Sequence, residues 1–301
     1  MDTRKTLLLK NIDSFPDSIQ LSDVSEENRK FIENYVSFGE HLQDVHQLFK
    51  LLEFNLEQLF NYCIMKYNDR LVNINGEVVD FYTINGLVIN IISSAKTLIE
   101  ALESFYETEL GEERKNEFKR EVLSKKYDEI FSYRFLLFMR TFAQHGHLPI
   151  SHVYDKGCFC FDLMQIFSTR HIKPNKAIKE SMEKVHDEII ERFEDEPKIA
   201  ITYTLDSFIV TVYEIYYAFL QTIEDDVKEI FNRQIYLLDV FPELIYKGDN
   251  ALNGYVVYQT GESNVLHMYN PNESLLNAYA EYREEAKKVY QKYKAEHVEI
   301  E

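Results

Sequence analysis

Apolar residues recur along this chain in steps of alternating fours and threes, the stride of a helix packed lengthwise on a neighbour. The first series runs Phe31, Tyr35, Phe38, Leu42, Val45, Phe49, Leu52, Leu56, Leu59 and Cys63. It predicts one helix over 27–66, about 60 Å long at 1.5 Å per residue. Ser or Asp in the stretch Ser22-Asp23-Val24-Ser25 can cap its start. Asn73-Ile74-Asn75-Gly76 then breaks the pattern, and a second seam follows through Phe81, Ile84, Val88, Ile91, Ala95, Leu98, Leu102 and Phe105. The two seams predict long antiparallel helices over 27–66 and 79–106.

Residues 107–126 are charged around Gly111 and are expected to be a helix end plus a solvated connector. From Ile130 to Gln144 the chain is apolar on every side, which predicts a third helix enclosed by its neighbours, packed across the first two and stopped by Gly146 and Pro149. The run Cys158 to Phe161 after Gly157 is a weak strand signal. Helical spacing returns over 175–193 and in the series Ile201, Leu205, Phe208, Ile209, Val212, Ile215, Tyr216, Phe219, Ile223, Val227 and Ile230. Tyr255–Tyr258 and Val265–Met268 predict a small hairpin. A last helix over 273–297 carries the stripe Leu276, Tyr279, Tyr282, Ala286, Tyr290 and Tyr293, which requires a surface to dock on. The expected organisation is an N-terminal segment (1–26), a helical bundle (27–240) and a hairpin-plus-helix extension (241–301).

Composition sharpens this picture. Nine Gly and six Pro among 301 residues are too few for a turn-rich β sandwich or barrel, and 45% hydrophobic residues provide ample core. The expected class is mainly α, with a small β or extended element. A formal charge of −18 excludes a global positive field for polyphosphate, so any RNA contact must be local. Three cysteines, no apolar run of spanning length and no export signal lead us to expect a cytoplasmic protein without membrane contact.

Most catalytic signatures are absent: there is no phosphate-binding glycine loop, no nucleophile elbow and no H-E-x-x-H. His41 and His46 lie five residues apart, about 140° round a helix, poorly placed to share a metal. His145, His147, His152, Asp155, Cys158 and Cys160 concentrate zinc-type ligands, but their spacing matches no paired zinc motif, so neither a metal nor a cofactor is expected. The local anomaly is Arg140, which with Arg134 supplies the only charge between Ile130 and Gln144. A guanidinium in an enclosed helix must meet a carboxylate, backbone carbonyls or a ligand anion. His145 follows at the helix's last turn. A cation and an imidazole at one helix end suit a phosphodiester, the arginine holding the phosphate and the histidine moving a proton.

The stretch from Phe131 through Arg140-Thr141-Phe142-Ala143-Gln144-His145-Gly146-His147-Leu148-Pro149-Ile150 resembles the helix that carries the R-x₄₋₆-H motif of the HEPN superfamily, in the prokaryotic subgroup with an R-N-x-x-Q-H pattern and a following turn. The order of helices over 27–235 is similar as well. The resemblance implies a helical bundle and a metal-independent endoribonuclease of toxin or anti-phage defence type, with Arg140 and His145 as catalytic residues. Thr141, Gln144 and His147 would be auxiliary. It further implies a homodimer acting on RNA, and a protein partner in a defence or toxin–antitoxin operon. Where active relatives carry Asn after the arginine this chain has Thr141, which keeps a hydroxyl but lacks an amide's two donors. The alternative that stays open is a catalytically silent interaction module of the same fold.

Overall fold

The structure is a computed structural model that describes residues 6–9, 26–62, 65–67, 70–72, 80–150, 152–153, 159–169, 172–193, 198–230, 232, 255–259, 266–269 and 275–298. The long apolar seams fold as their stride dictates. Helix α1 spans Glu26–Tyr62 and α2 spans Phe81–Phe105. Along α1 the positions Phe38, Leu42, Val45, Phe49, Leu52, Leu56 and Leu59 are buried, and along α2 every seam position from Ile84 to Phe105 is. Asp80 caps α2, its carboxylate accepting from the Thr83 N–H at 2.8 Å.

The described residues are mainly helical, and they form two compact units, one of 1–44 with 220–285 and the other of 45–219 with 286–301. In the larger unit, Asn55 of α1 donates to Ser94 of α2, and the backbone N–H of Asp80 donates to the Tyr62 hydroxyl. Residue numbers rise on one helix as they fall on the other, so α1 and α2 are antiparallel, as the two seams predict. α1 stops earlier than expected. Strands β2 (Met65–Tyr67) and β3 (Arg70–Val72) pair as a tight antiparallel hairpin where the sequence reading carried the helix on to residue 66. Cys63 and the expected break at 73–76 lie outside the described residues.

The charged stretch after α2 is also different from its expectation. It is a helical return rather than a solvated connector: a π-helical turn Tyr106–Leu110, α3 (Glu112–Phe118), a second π-helical turn Lys119–Ser124 and α4 (Lys125–Glu129). Gly111 reverses the chain with φ +91°, open to glycine and strained for any other residue. Charge counting missed the return because Tyr106, Phe118 and Leu123 are buried beneath the charged positions, with Tyr106 and Phe118 stacked at 4.6 Å and Phe219 edge-on to Tyr106.

At the centre of this unit is α5 (Phe131–Gln144). Ser132 hydrogen-bonds Ser207, and Tyr133 stacks on Phe208, of α8 (Ile201–Thr222). Phe135 meets Phe161 of β5 (Phe159–Asp162), and Arg134 reaches Ser181 of α7 (Lys176–Phe193). β5 is the middle strand of a small antiparallel sheet with β4 (His152–Val153) and β6 (Lys198–Ala200), and it leads into α6 (Leu163–Ser168). Each fully buried Phe or Leu in such a core contributes ~1.5–3 kcal/mol relative to exposure. Helix α8 buries its predicted face and packs its tyrosines on α10 (Leu275–Val298), Tyr213 against Tyr293 and Tyr217 against Tyr290.

The smaller unit contains a three-stranded antiparallel sheet in the order β1 (Thr6–Leu9), β7 (Tyr255–Gln259), β8 (Leu266–Tyr269). The β7–β8 hairpin is the one expected from the sequence. That Leu7 to Leu9 would join it was not. Residues 224–230 form α9. The Tyr279 hydroxyl donates to the Leu220 carbonyl at 2.6 Å, and Arg283 pairs with Glu224 at 2.8 Å, so the tyrosine stripe of α10 has the docking surface it requires. Among the described residues no helix is long and apolar enough to cross a membrane.

Candidate functional site

The sequence singles out the C-terminal end of α5, and three features build that end. Residues 132–136, together with Phe138, Met139 and Phe142, are buried, so most of α5 is enclosed as expected. At its last two turns it opens. Arg140 is part-exposed, and Thr141, Gln144 and His145 are exposed. On a helix, residues three and four apart are neighbours, so Arg140–Gln144, Thr141–Gln144 and Thr141–His145 form one continuous polar strip. Arg140 and His145 lie at the two edges of this strip, five residues and about 140° apart, and are joined along it through Gln144 and Thr141.

The second feature is the helix stop. Gly146 adopts φ +86°, its N–H bonds the Ala143 carbonyl at 3.0 Å, and the His147 N–H bonds the Phe142 carbonyl at 3.3 Å. This pair of bonds around a left-handed residue is a Schellman cap, in which the residue after the glycine packs on the third residue from the helix end. His147 does so, its ring 4.8 Å from that of Phe142. The cap makes His145 the residue that follows the helix's last, Gln144, and gives His147 a structural task.

The third feature was not found by sequence reasoning. Asn85 of α2, 1% exposed, accepts from the Ile150 N–H at 3.0 Å and donates to the Ile150 carbonyl at 3.3 Å and to the Phe81 carbonyl at 3.0 Å. A buried amide so used replaces a strand partner and fixes the exit of the turn to α2. The signal in the sequence was a lone polar residue beside an otherwise apolar seam, between Ile84 and Val88.

The two arginines of α5 have opposite fates. Arg134 is the buried one, 8% exposed, and donates to the carbonyls of Tyr127 (2.5 Å) and Asp128 (3.0 Å) and to the Ser181 hydroxyl (2.5 Å). It thereby takes up carbonyls at the C-terminus of α4, where a cation is favoured. Arg140, the residue expected to be enclosed, keeps its side chain 25% exposed. Its ion-pair partner is Glu100 of α2, whose Oε1 lies 3.9 Å from Nη1, and its Nε is buried without a hydrogen-bond partner. The same Glu100 oxygen lies 3.5 Å from Lys96 Nζ.

Of the zinc-type ligands weighed in the sequence, Cys160 is buried in β5. Asp155, Cys158 and the side chain of His152 lie outside the described residues. His46 Nδ1 lies 3.0 Å from the Tyr216 hydroxyl and its ring stacks on Phe49, which makes it part of the aromatic core. Among the described residues no group of three or more His, Cys, Asp or Glu side chains is placed to hold a metal ion. Comparisons with protein-family models, with curated proteins and with solved structures find no match to this chain.

Proposed function

We propose that this chain is a HEPN-like, metal-independent endoribonuclease of toxin or anti-phage defence type, with its site at the exposed end of α5. The observation that carries the reading is the contrast between the arginines: the Nη groups of Arg134 are taken by backbone carbonyls and Ser181, while Arg140 is part-exposed and has a half-exposed carboxylate at 3.9 Å. In this reading Arg140 stabilises the charge that builds on the scissile phosphate. His145 takes the proton from the ribose 2′-hydroxyl, which attacks the adjacent phosphorus and expels the 5′-oxygen, leaving a 2′,3′-cyclic phosphate. The departing oxygen gains a proton from water and becomes a 5′-hydroxyl. Thr141 and Gln144, on the same strip, are auxiliary contacts. Two copies would face each other across a two-fold axis, bringing two such strips to one RNA strand.

The catalytically silent alternative, an interaction module within a defence complex, is favoured by the −18 charge and by Thr141 in place of an amide side chain. The two readings separate in one assay. Incubation with RNA in EDTA should yield fragments with cyclic phosphate ends while DNA stays intact, and light scattering at micromolar concentration should report a dimer. Intact RNA with a purified dimer would leave the silent module.

A further inference from the structure

We infer that Glu100 occupies, in the free protein, the place of a substrate phosphate between Lys96 and Arg140, and that Lys96 is the second cation of the site. The inference rests on the reading of α5 given above and adds how the site is closed at rest. One carboxylate oxygen lies 3.5 Å from Lys96 Nζ and 3.9 Å from Arg140 Nη1. Lys96 and Glu100 are one turn apart on α2, and Arg140 reaches them from α5, so two cations from two helices converge on a single anion. The contacts are long. Charge-assisted hydrogen bonds lie near 2.7–2.9 Å, and the same molecule makes them elsewhere, Lys126 to Glu214 at 2.7 Å and Lys115 to Glu107 at 2.6 Å.

Glu100 is therefore a Coulombic neighbour of Arg140 rather than a hydrogen-bonded partner. Its side chain is 50% exposed, where water and salt screen the attraction. The Arg140 Nε is buried without an acceptor, as is that of Arg134, so the donors open to a ligand are the terminal Nη groups, of which Glu100 faces Nη1 at long range. A guanidinium bonds most strongly through two parallel N–H groups, and a phosphodiester offers two anionic oxygens for such a fork. A phosphate that displaces Glu100 can bond the Arg140 Nη1 and Nη2 groups and meets the full charge of Lys96. The half-exposed carboxylate can swing into water as it leaves. In an acidic protein this internal counter-ion also sets a threshold, since only a polyanion with further contacts exchanges with it readily.

The test uses the full chain and a short fluorescein-labelled 2′-O-methyl RNA, which cannot be cut because its nucleophile is blocked. Fluorescence anisotropy at low salt compares wild type with Glu100→Gln, Lys96→Ala and Arg140→Ala, with melting temperatures showing that each is folded. Glu100→Gln should bind about threefold tighter and Lys96→Ala about threefold weaker, the scale of exposed charge pairs. Lys96→Ala should also lower the salt slope by about one. Arg140→Ala should bind more weakly than Lys96→Ala. Binding by Glu100→Gln no tighter than wild type, or by Lys96→Ala equal to it, overturns the exchange, and a loss confined to Arg140→Ala then leaves the reading of α5 in place. Equal binding by wild type and Arg140→Ala, or no binding by wild type and Glu100→Gln alike, removes both.

Discussion

Asn85 pairs its amide with the backbone of Ile150, accepting from the N–H at 3.0 Å and donating to the carbonyl at 3.3 Å, across 65 residues of sequence. This contact and the cap at Gly146 hold the exit of α5 at both ends. The turn that follows His145 is thereby anchored to α2, the helix that also carries Lys96 and Glu100.

Removing that anchor should be costly. Asn85→Ala leaves the Ile150 N–H and carbonyl unpaired in a buried place, at about 2–3 kcal/mol. Urea denaturation should show the loss. Asn85→Asp keeps the acceptor but loses both donated bonds and should be no better. A cost below about 0.5 kcal/mol for Asn85→Ala would mean the clamp does not order the turn.

Two glycines in helical surroundings should respond with opposite sign. Gly146, at φ +86°, tolerates no β-carbon without strain, so Gly146→Ala should cost about 1 kcal/mol. Gly86 lies exposed inside α2, and a Cβ there meets nothing within 4 Å. Gly86→Ala should raise stability by up to about 1 kcal/mol. Thermal melts of the pair suffice, and a shift in the same direction for both would contradict the backbone assignment.

The arginines of α5 should separate stability from activity. Arg134→Met strips three hydrogen bonds from a buried site and should cost about 3 kcal/mol. Arg140→Met loses only a long, screened ion pair and should cost less than about 1 kcal/mol. Equal costs in denaturant would mean that Arg140 is a structural residue.

Acid should weaken the fold through identifiable carboxylates. The Thr83 N–H and hydroxyl hold Asp80 below the ordinary carboxylate range, and hydrogen bonds from Lys125 and Arg120 pull Glu121 down to about 2. A folded-state value below the unfolded one stabilises the protein above the unfolded pKa of ~4 and ceases to do so as pH falls through the folded value. The melting temperature should therefore drop between about pH 5 and pH 2. Glu121→Gln and Asp80→Asn, which keeps a capping acceptor, should each make that drop shallower. An unchanged profile in both would assign the acid sensitivity to other groups.

How much of this was legible in the sequence follows from what periodicity measures. The seams of α1 and α2 could be read because each buried position repeats on one face, from Phe38 to Leu59 and from Ile84 to Phe105. Segments of three or four residues carry no such repeat. Thr6–Leu9 gave no sign that it would pair with Tyr255–Tyr258, nor Lys198–Ala200 that it would join β5, because strand partners are chosen by distant segments. The hairpin at Met65–Val72 was passed over for the stronger turn signal at Asn73–Gly76. At the site, Arg140 and His145 stood out as a cation and an imidazole near a helix stop. Which arginine is buried depended on the carbonyls of Tyr127 and Asp128, and these belong to a helical return that charge counting had read as a connector.

The most direct test of the central claim is RNA cleavage in the presence of EDTA by wild type, Arg140→Ala and His145→Ala, each shown to be folded by circular dichroism. The account predicts cutting by wild type with 2′,3′-cyclic phosphate ends, no cutting of DNA, and a fall of roughly 10²-fold or more in rate for either variant, the loss of one electrostatic or proton-transfer contribution. Equal rates for all three proteins would contradict it.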